Sequence, residues 1–164
     1  MNTLEESLAS VEGVLDVSVI VPVCFENPLK DCGILFLADV VSLKRQAVIP
    51  VTAVMGAYHI TTRYLKVPRV AVKKVLEGLL RTRSPALYPN ISPELAGDAL
   101  DYASTYNIES WDGYLVALAR SLGARIVYSL DEALDNIREI TVANPFPREK
   151  VQEYHEYIRA KTNC

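Results

Sequence analysis

Cysteine and histidine are scarce in this chain. Its 164 residues include three cysteines, Cys24, Cys32 and Cys164, and two histidines, His59 and His155. No two cysteines form a CxxC pair, so there is no Cys/His zinc pattern, and Cys24 and Cys32 read as reduced, partly buried thiols. Long apolar runs are missing as well, none approaching the roughly eighteen residues that span a bilayer. The opening MNTLEESLAS lacks the basic and apolar regions of a signal peptide. Together these absences lead us to expect a soluble, cytoplasmic protein with no membrane partner. Positive charge is also short: 17 Lys and Arg stand against 20 Asp and Glu, a net charge of −3. The chain as a whole therefore exerts no pull on nucleic acid. Internal repeats, low-complexity segments and interdomain linkers are not evident.

Apolar residues make up 50% of the composition, enough for a globular core. The length suits one domain, expected over residues 1–147, with 1–11 as an N-terminal extension and 148–164 as a C-terminal helix. VEGVLDVSVIVPV, 11–23, is β-branched and apolar and reads as a buried first strand interrupted by Asp16. DCGILFLADVVSLKRQ carries Ile34, Leu37, Ala38 and Val41 at helical spacing. AVIP is a short strand, followed by a helix over VTAVMGAYHITTRYL and another over PRVAVKKVLEGLLRTR, with Pro68 near its first turn. SPELAGDALDYASTYN opens with Ser92 as N-cap and Pro93 at the first helical position. Its expected apolar face is Leu95, Ala99, Tyr102, Ala103 and Tyr106. SWDGYLVALARSLG is a further helix, ended by Gly123 in a left-handed turn. ARIVYS and REITVANPFP are short strands, and the amphipathic PREKVQEYHEYIRAKTNC packs on the body or on a partner. Strands alternating with helices predict a mostly parallel sheet covered on both faces.

The acids are the informative residues. A helix of about ten residues descends ~15 Å and a strand of four or five returns ~15 Å. Asp112, at the helix start, and Asp131, after the strand, should therefore meet at one sheet edge. Asp16 belongs at the same edge, where open α/β folds bind ligands. Read singly, Asp112 is an N-terminal helix acid and Asp131 a cap for DEALDNI. Asp16 is harder to explain by packing, because burying an unpaired carboxylate is costly. Three acids at one edge call for a cation, and oxygen donors without thiol or imidazole point to Mg²⁺ or Mn²⁺. Between Arg63 and Arg83 the chain also carries Arg63, Lys66, Arg69, Lys73, Lys74, Arg81 and Arg83 against the single acid Glu77. That segment is either a solvated helix face or a guide for a phosphate backbone. Tyr102, Tyr106, Tyr114, Tyr128, Tyr154 and Tyr157 sit at positions suited to core and interface packing rather than base stacking.

Over residues 12–147 the chain resembles the PIN-domain family. VLDVSVI resembles its opening strand, with Asp16 followed by a small polar residue, Ser18. YNIESWDGYLVALARSLGARIVYSLDEAL resembles its most recognisable segment: an Asp opening an alanine-rich helix, a Gly turn, a strand, then Ser/Thr-x-Asp. Those positions fall on Asp112, Ser129 and Asp131, and ITVANPF resembles the last strand. The resemblance implies a three-layer α/β/α sandwich and Mg²⁺- or Mn²⁺-dependent endonucleolytic cleavage of RNA. Asp16, Asp112 and Asp131 would hold the metal, Ser18 and Ser129 would support them, and Arg63, Lys66, Arg69, Lys73 and Lys74 would guide RNA. A homodimer and an antitoxin-like protein partner are implied on the same ground. One departure stands out: the family's fourth acid, a helix Glu, aligns with Gly56. Glu109 is the first candidate to compensate, followed by Glu132, Glu26 and His59. Loss of that acid leaves open a degenerate PIN domain that binds RNA or protein without cutting. A phosphoacceptor receiver domain fits less well, since the first lysine after ITVANPFP is Lys150.

Overall fold

A computed structural model of the protein describes residues 10–163, so most of the expected N-terminal extension, and Cys164, lie outside the described residues. Among the described residues five strands are present: β1 (Gly13–Leu15), β2 (Ala47–Pro50), β3 (Leu87–Tyr88), β4 (Ile126–Tyr128) and β5 (Thr141–Ala143). Seven helices of the described residues surround them: α1 (Val17–Ile20), α2 (Lys30–Val41), α3 (Val51–Arg63), α4 (Arg69–Arg81), α5 (Pro93–Tyr106), α6 (Ser110–Ser121) and α7 (Arg148–Thr162). Every strand pairing is parallel, in the order β3-β2-β1-β4-β5. The chain winds outward from β1 through β2 to β3, then returns to place β4 on the other side of β1. The switch point of the sheet is therefore between β1 and β4, where carboxyl-end crevices form in doubly wound folds.

Alternating side chains feed two cores. Leu15, Ala47, Ile49 and Tyr128 enter one cluster with residues of α1 to α4 and α7. Val14, Val48 and Val127 enter the other, with α5 and α6. That alternation is the period-two geometry of a strand with both faces covered. The result is an α/β/α sandwich around a parallel sheet, as expected. Each fully buried aliphatic side chain, such as Leu15, Ile20 or Leu118, contributes about 1.5–3 kcal/mol.

Several expectations are corrected. The run 11–23 is not one strand: β1 ends at Leu15, α1 follows at once, and Val21–Cys24 form a 3₁₀ turn. The Asp16 carboxylate accepts a hydrogen bond from the Val17 N–H at 2.7 Å, so it caps α1. Burial explains the false reading, since a short apolar run enclosed on every side has no diagnostic period. Helix α2 buries Gly33, Phe36, Leu37 and Val40, one step from the expected face, and leaves Ile34 46% exposed. Pro68 stands just before α4 as its N-cap residue, beside the first turn as expected. The two-residue β3 was not foreseen. DEALDNI forms only a 3₁₀ turn, Glu132–Leu134. The capping of α5 by Ser92, which accepts from the Leu95 N–H at 3.1 Å, and the positive φ of Gly123, 70°, agree with expectation. Helix α7 packs on the body through Val151 and Tyr154. Among the described residues no helix is long and apolar enough to cross a membrane.

Candidate functional site

The switch point brings β1 and β4 side by side in register, Leu15 opposite Tyr128. The first residue beyond each strand therefore arrives at the same place. Beyond β1 that residue is Asp16, 7% exposed, and beyond β4 it is Ser129, 1% exposed. The Asp16 backbone N–H donates to the Tyr128 carbonyl at 2.9 Å, extending the ladder by one bond.

The Asp16 side chain is fully oriented. Its Oδ1 accepts from the Val17 N–H at 2.7 Å. Its Oδ2 accepts from the Ser18 hydroxyl at 2.7 Å and the Ser129 hydroxyl at 2.8 Å. Each serine is in turn held from behind. The Leu130 N–H donates to Ser18 Oγ and the Asp131 N–H to Ser129 Oγ, both at 2.9 Å. A hydroxyl has one proton to give. Both protons go to Asp16, so the 3.3 Å approach of the two serine oxygens is a contact and not a further bond. Oδ2 thus has its two acceptor sites filled, while Oδ1 retains one. The carboxylate is thereby held in one orientation where Asp16 lines the first cleft.

Asp112 lies in the first turn of α6, half-buried. Burial pushes its carboxyl up to about 6, with the nearby charges of Asp16, then Asp131, then Glu109 adding to the effect. The three sequence-selected aspartates are therefore close enough to feel one another. Helix α5 determines where α6 starts: a Cβ on Gly113 would lie 2.2 Å from the Ala99 carbonyl oxygen and 3.1 Å from the Ala103 nitrogen. Only glycine beside Asp112 permits that approach. Asp131 is exposed and sits just before the Glu132–Leu134 turn. Among the described residues, no group of three or more Asp, Glu, His or Cys side chains is placed to hold a metal ion together.

Two clefts flank Asp16 and Ser129. The first, about 420 Å³, is lined by Asp16, Val17, Gly56, His59, Trp111 and Tyr114, among others, and is largely apolar. A Cβ at Gly56 would stand 3.3 Å from Val17 Cγ2, so Gly56 faces Asp16's neighbour across this cleft. Trp111 is 64% exposed on its rim, which sequence reading did not single out. The second, about 430 Å³, is lined by Ser129, Asp131, Glu132 and Asn144, and by Arg148, Gln152, His155 and Arg159 of α7.

The other candidates separate. Glu109 immediately precedes α6, exposed, and acts on Asp112 only through its charge. Glu26 pairs with Lys30 and does not join the cluster. Glu132 lines the second cleft and His59 the first. Arg63 ends α3, about 18 Å along the helix from its start at the carboxyl edge. Lys66 lies in the turn that follows and Arg69 begins α4, while Lys73 pairs with Glu77 at 3.5 Å and Lys74 is exposed on the same helix. None of these five basic residues lines either cleft. Tyr114, Tyr128 and Tyr154 are buried, and Tyr128 donates to Glu12 at 2.7 Å, so these three are packing residues.

No model of a known protein family matches this chain, and no curated protein matches it either.

Proposed function

We propose that this chain is a Mg²⁺- or Mn²⁺-dependent endoribonuclease of PIN type, hydrolysing RNA phosphodiester bonds at the carboxyl edge of the sheet. The observation that carries this reading is the buried, doubly serine-braced carboxylate of Asp16 at the switch point, lining a cleft. A structural cap would not need two hydroxyl donors, each backed by a further backbone N–H. Carboxylate oxygens are hard donors, and Mg²⁺ characteristically takes only one or two protein carboxylates, completing its shell with water and substrate phosphate. The donor set here fits that habit without a closed cage. Asp16 and Asp112 would hold the ion, with Asp131 and Glu109 contributing through water or charge. When bound, such an ion activates water and neutralises charge developing on a phosphate. Ser18 and Ser129 orient Asp16, and Asp112, with its charge disfavoured while no cation is bound, strengthens the demand for one.

A second reading is a catalytically degenerate PIN domain that binds RNA or protein. Gly56 favours it, because an apolar cleft stands where the fourth acid would project. A homodimer and an antitoxin-like partner follow from the same resemblance and belong to either reading.

Titration calorimetry with Mn²⁺ on the wild type, Asp16→Asn and Asp112→Asn tests the metal, and Mg²⁺- or Mn²⁺-supported cleavage of single-stranded RNA tests the reaction. Millimolar or tighter binding lost in both variants, with cleavage abolished by EDTA, is expected. Metal binding without cleavage would leave the degenerate reading. No metal binding by the wild type would overturn the first.

A further inference from the structure

The C-terminal helix carries a segregated charge pattern that packing does not require. Arg148, Gln152, His155 and Arg159 are spaced by four, three and four residues, one stripe along α7. All four line the cleft that also contains Ser129 and three acids, Asp131, Glu132 and Asp135. The buried stripe is different, formed by Val151 and Tyr154 with Ile158 packed beside them. Glu149 and Glu156 flank the stripe, Glu156 one turn before Arg159, and Glu153 lies farther round the helix, where it pairs with Lys150 at 3.7 Å.

Among the described residues neither Arg148 nor Arg159 stands in an ion pair. Arg159 Nε donates only to the His155 carbonyl of its own helix, at 3.4 Å. Arg148 is the first residue of α7, where a cation opposes the helix dipole and gains nothing from it. That first turn follows the carboxyl end of β5, which runs parallel to β4. Two unpaired guanidinium groups and the positive end of a helix thus face the edge that holds the acids. Guanidinium is the side chain best shaped for phosphate oxygens.

We propose that the α7 stripe, with Arg148 and Arg159 as its anchors, binds the phosphates of the RNA strand next to the carboxylate site. This rests on the ribonuclease reading for its ligand and deepens it. It also moves the backbone-binding role from the α3–α4 segment, whose basic residues line neither cleft, to the C-terminal helix.

The test is fluorescence anisotropy with a labelled single-stranded RNA oligonucleotide, in EDTA so that hydrolysis plays no part, and again with Mn²⁺. The double variant Arg148→Gln/Arg159→Gln is compared with Lys73→Gln/Lys74→Gln. Loss of two phosphate contacts lowers the slope of log K against log salt by about 1.4. The wild type should accordingly lose about sevenfold more affinity than the α7 variant between roughly 50 and 200 mM salt. The Lys73/Lys74 variant should match the wild type, and the Mn²⁺ isotherm should be the same in all three. Arg148→Lys/Arg159→Lys, which keeps the charge, should restore most of the salt slope if the glutamine variant proves unstable.

Equal RNA binding by the α7 variant overturns the proposal and leaves the cleavage reading standing. So does a variant that loses only stability, since the arginines would then merely offset the neighbouring acids. Displacement of RNA by polyglutamate at equal charge concentration would assign the stripe to an acidic protein and overturn the phosphate assignment. Binding lost in the variant, in a wild type that never cleaves, supports the stripe and rejects the ribonuclease reading. A wild type that binds no RNA rejects the stripe, and the cleavage assay then judges the ribonuclease reading on its own.

Discussion

Replacing Asp112 by Asn should stabilise the metal-free protein at neutral pH. Its carboxyl is held at about 6, against an ordinary value of 3.8, by burial first and by the charges of Asp16, Asp131 and Glu109 after it. The folded state therefore binds its proton more tightly than the unfolded state does. Between pH 4 and 6 the folded chain carries more protons, so stability falls as pH rises through that window. Above pH 6 the whole penalty is present. About two pH units correspond to about 3 kcal/mol at 1.36 kcal/mol per unit, which partial exposure reduces to about 2. Asn forfeits the favourable interaction of a carboxylate with the α6 N-terminus, about 0.3–1 kcal/mol. The net gain should be about 1–2 kcal/mol at pH 7.5, or a rise in Tm of about 2–8 °C for a chain of this size. Urea unfolding in EDTA at pH 7.5 and at pH 3.5 measures it. The gain should vanish at the lower pH, where both states hold the proton, and Mn²⁺ should erase it by stabilising only the wild type. A destabilised variant at pH 7.5, or a gain that ignores pH, would refute the reasoning.

Asp16→Asn should behave oppositely, losing about 1–3 kcal/mol in the same unfolding assay, because an amide NH₂ would face two serine hydroxyls already placed to donate. Gly113→Ala should cost more than about 2 kcal/mol, since its Cβ would meet the Ala99 carbonyl at 2.2 Å, whereas Gly97→Ala, with nothing within 4 Å, should gain about 0.5–1 kcal/mol. Thermal melts of the two alanine variants compare them directly. Under the proposed function, Gly56→Glu should restore a fourth acid and tighten Mn²⁺ binding several-fold in calorimetry. Its Cβ meets only the Val17 side chain, Cγ2 at 3.3 Å and Cβ at 3.9 Å, so the helix should accept it.

Much of the architecture was legible because its signals are local. Ser92 before Pro93, Gly123 after α6 and the apolar IVY and AVIP runs are short-range statements about backbone and burial, and each element formed where they stand. The order of helices and strands then required a parallel sheet, and that brought the residues after β1 and β4 to one edge. Legibility failed where burial removed the period. Val17–Ile20 is helical although its composition suits a strand, because Asp16 captures the Val17 N–H and ends β1. Gly113 reads in sequence as a weak point in a helix, and only the approach of α5 makes it necessary.

The acids divide along the same line. Sequence alone determined which carboxylates could meet, through element lengths and direction. Tertiary structure decided what each one became. Asp16 is braced by Ser18 and by Ser129, far away along the chain. Asp112 is left half-buried among like charges. The Arg63–Lys74 segment was visible as a charge run, but a charge run has no address until the helices pack. Packing left those residues outside both clefts and put Arg148 and Arg159 against the one beside Asp131. Sequence spacing specifies a stripe on a helix, and only its partner surfaces determine what the stripe faces.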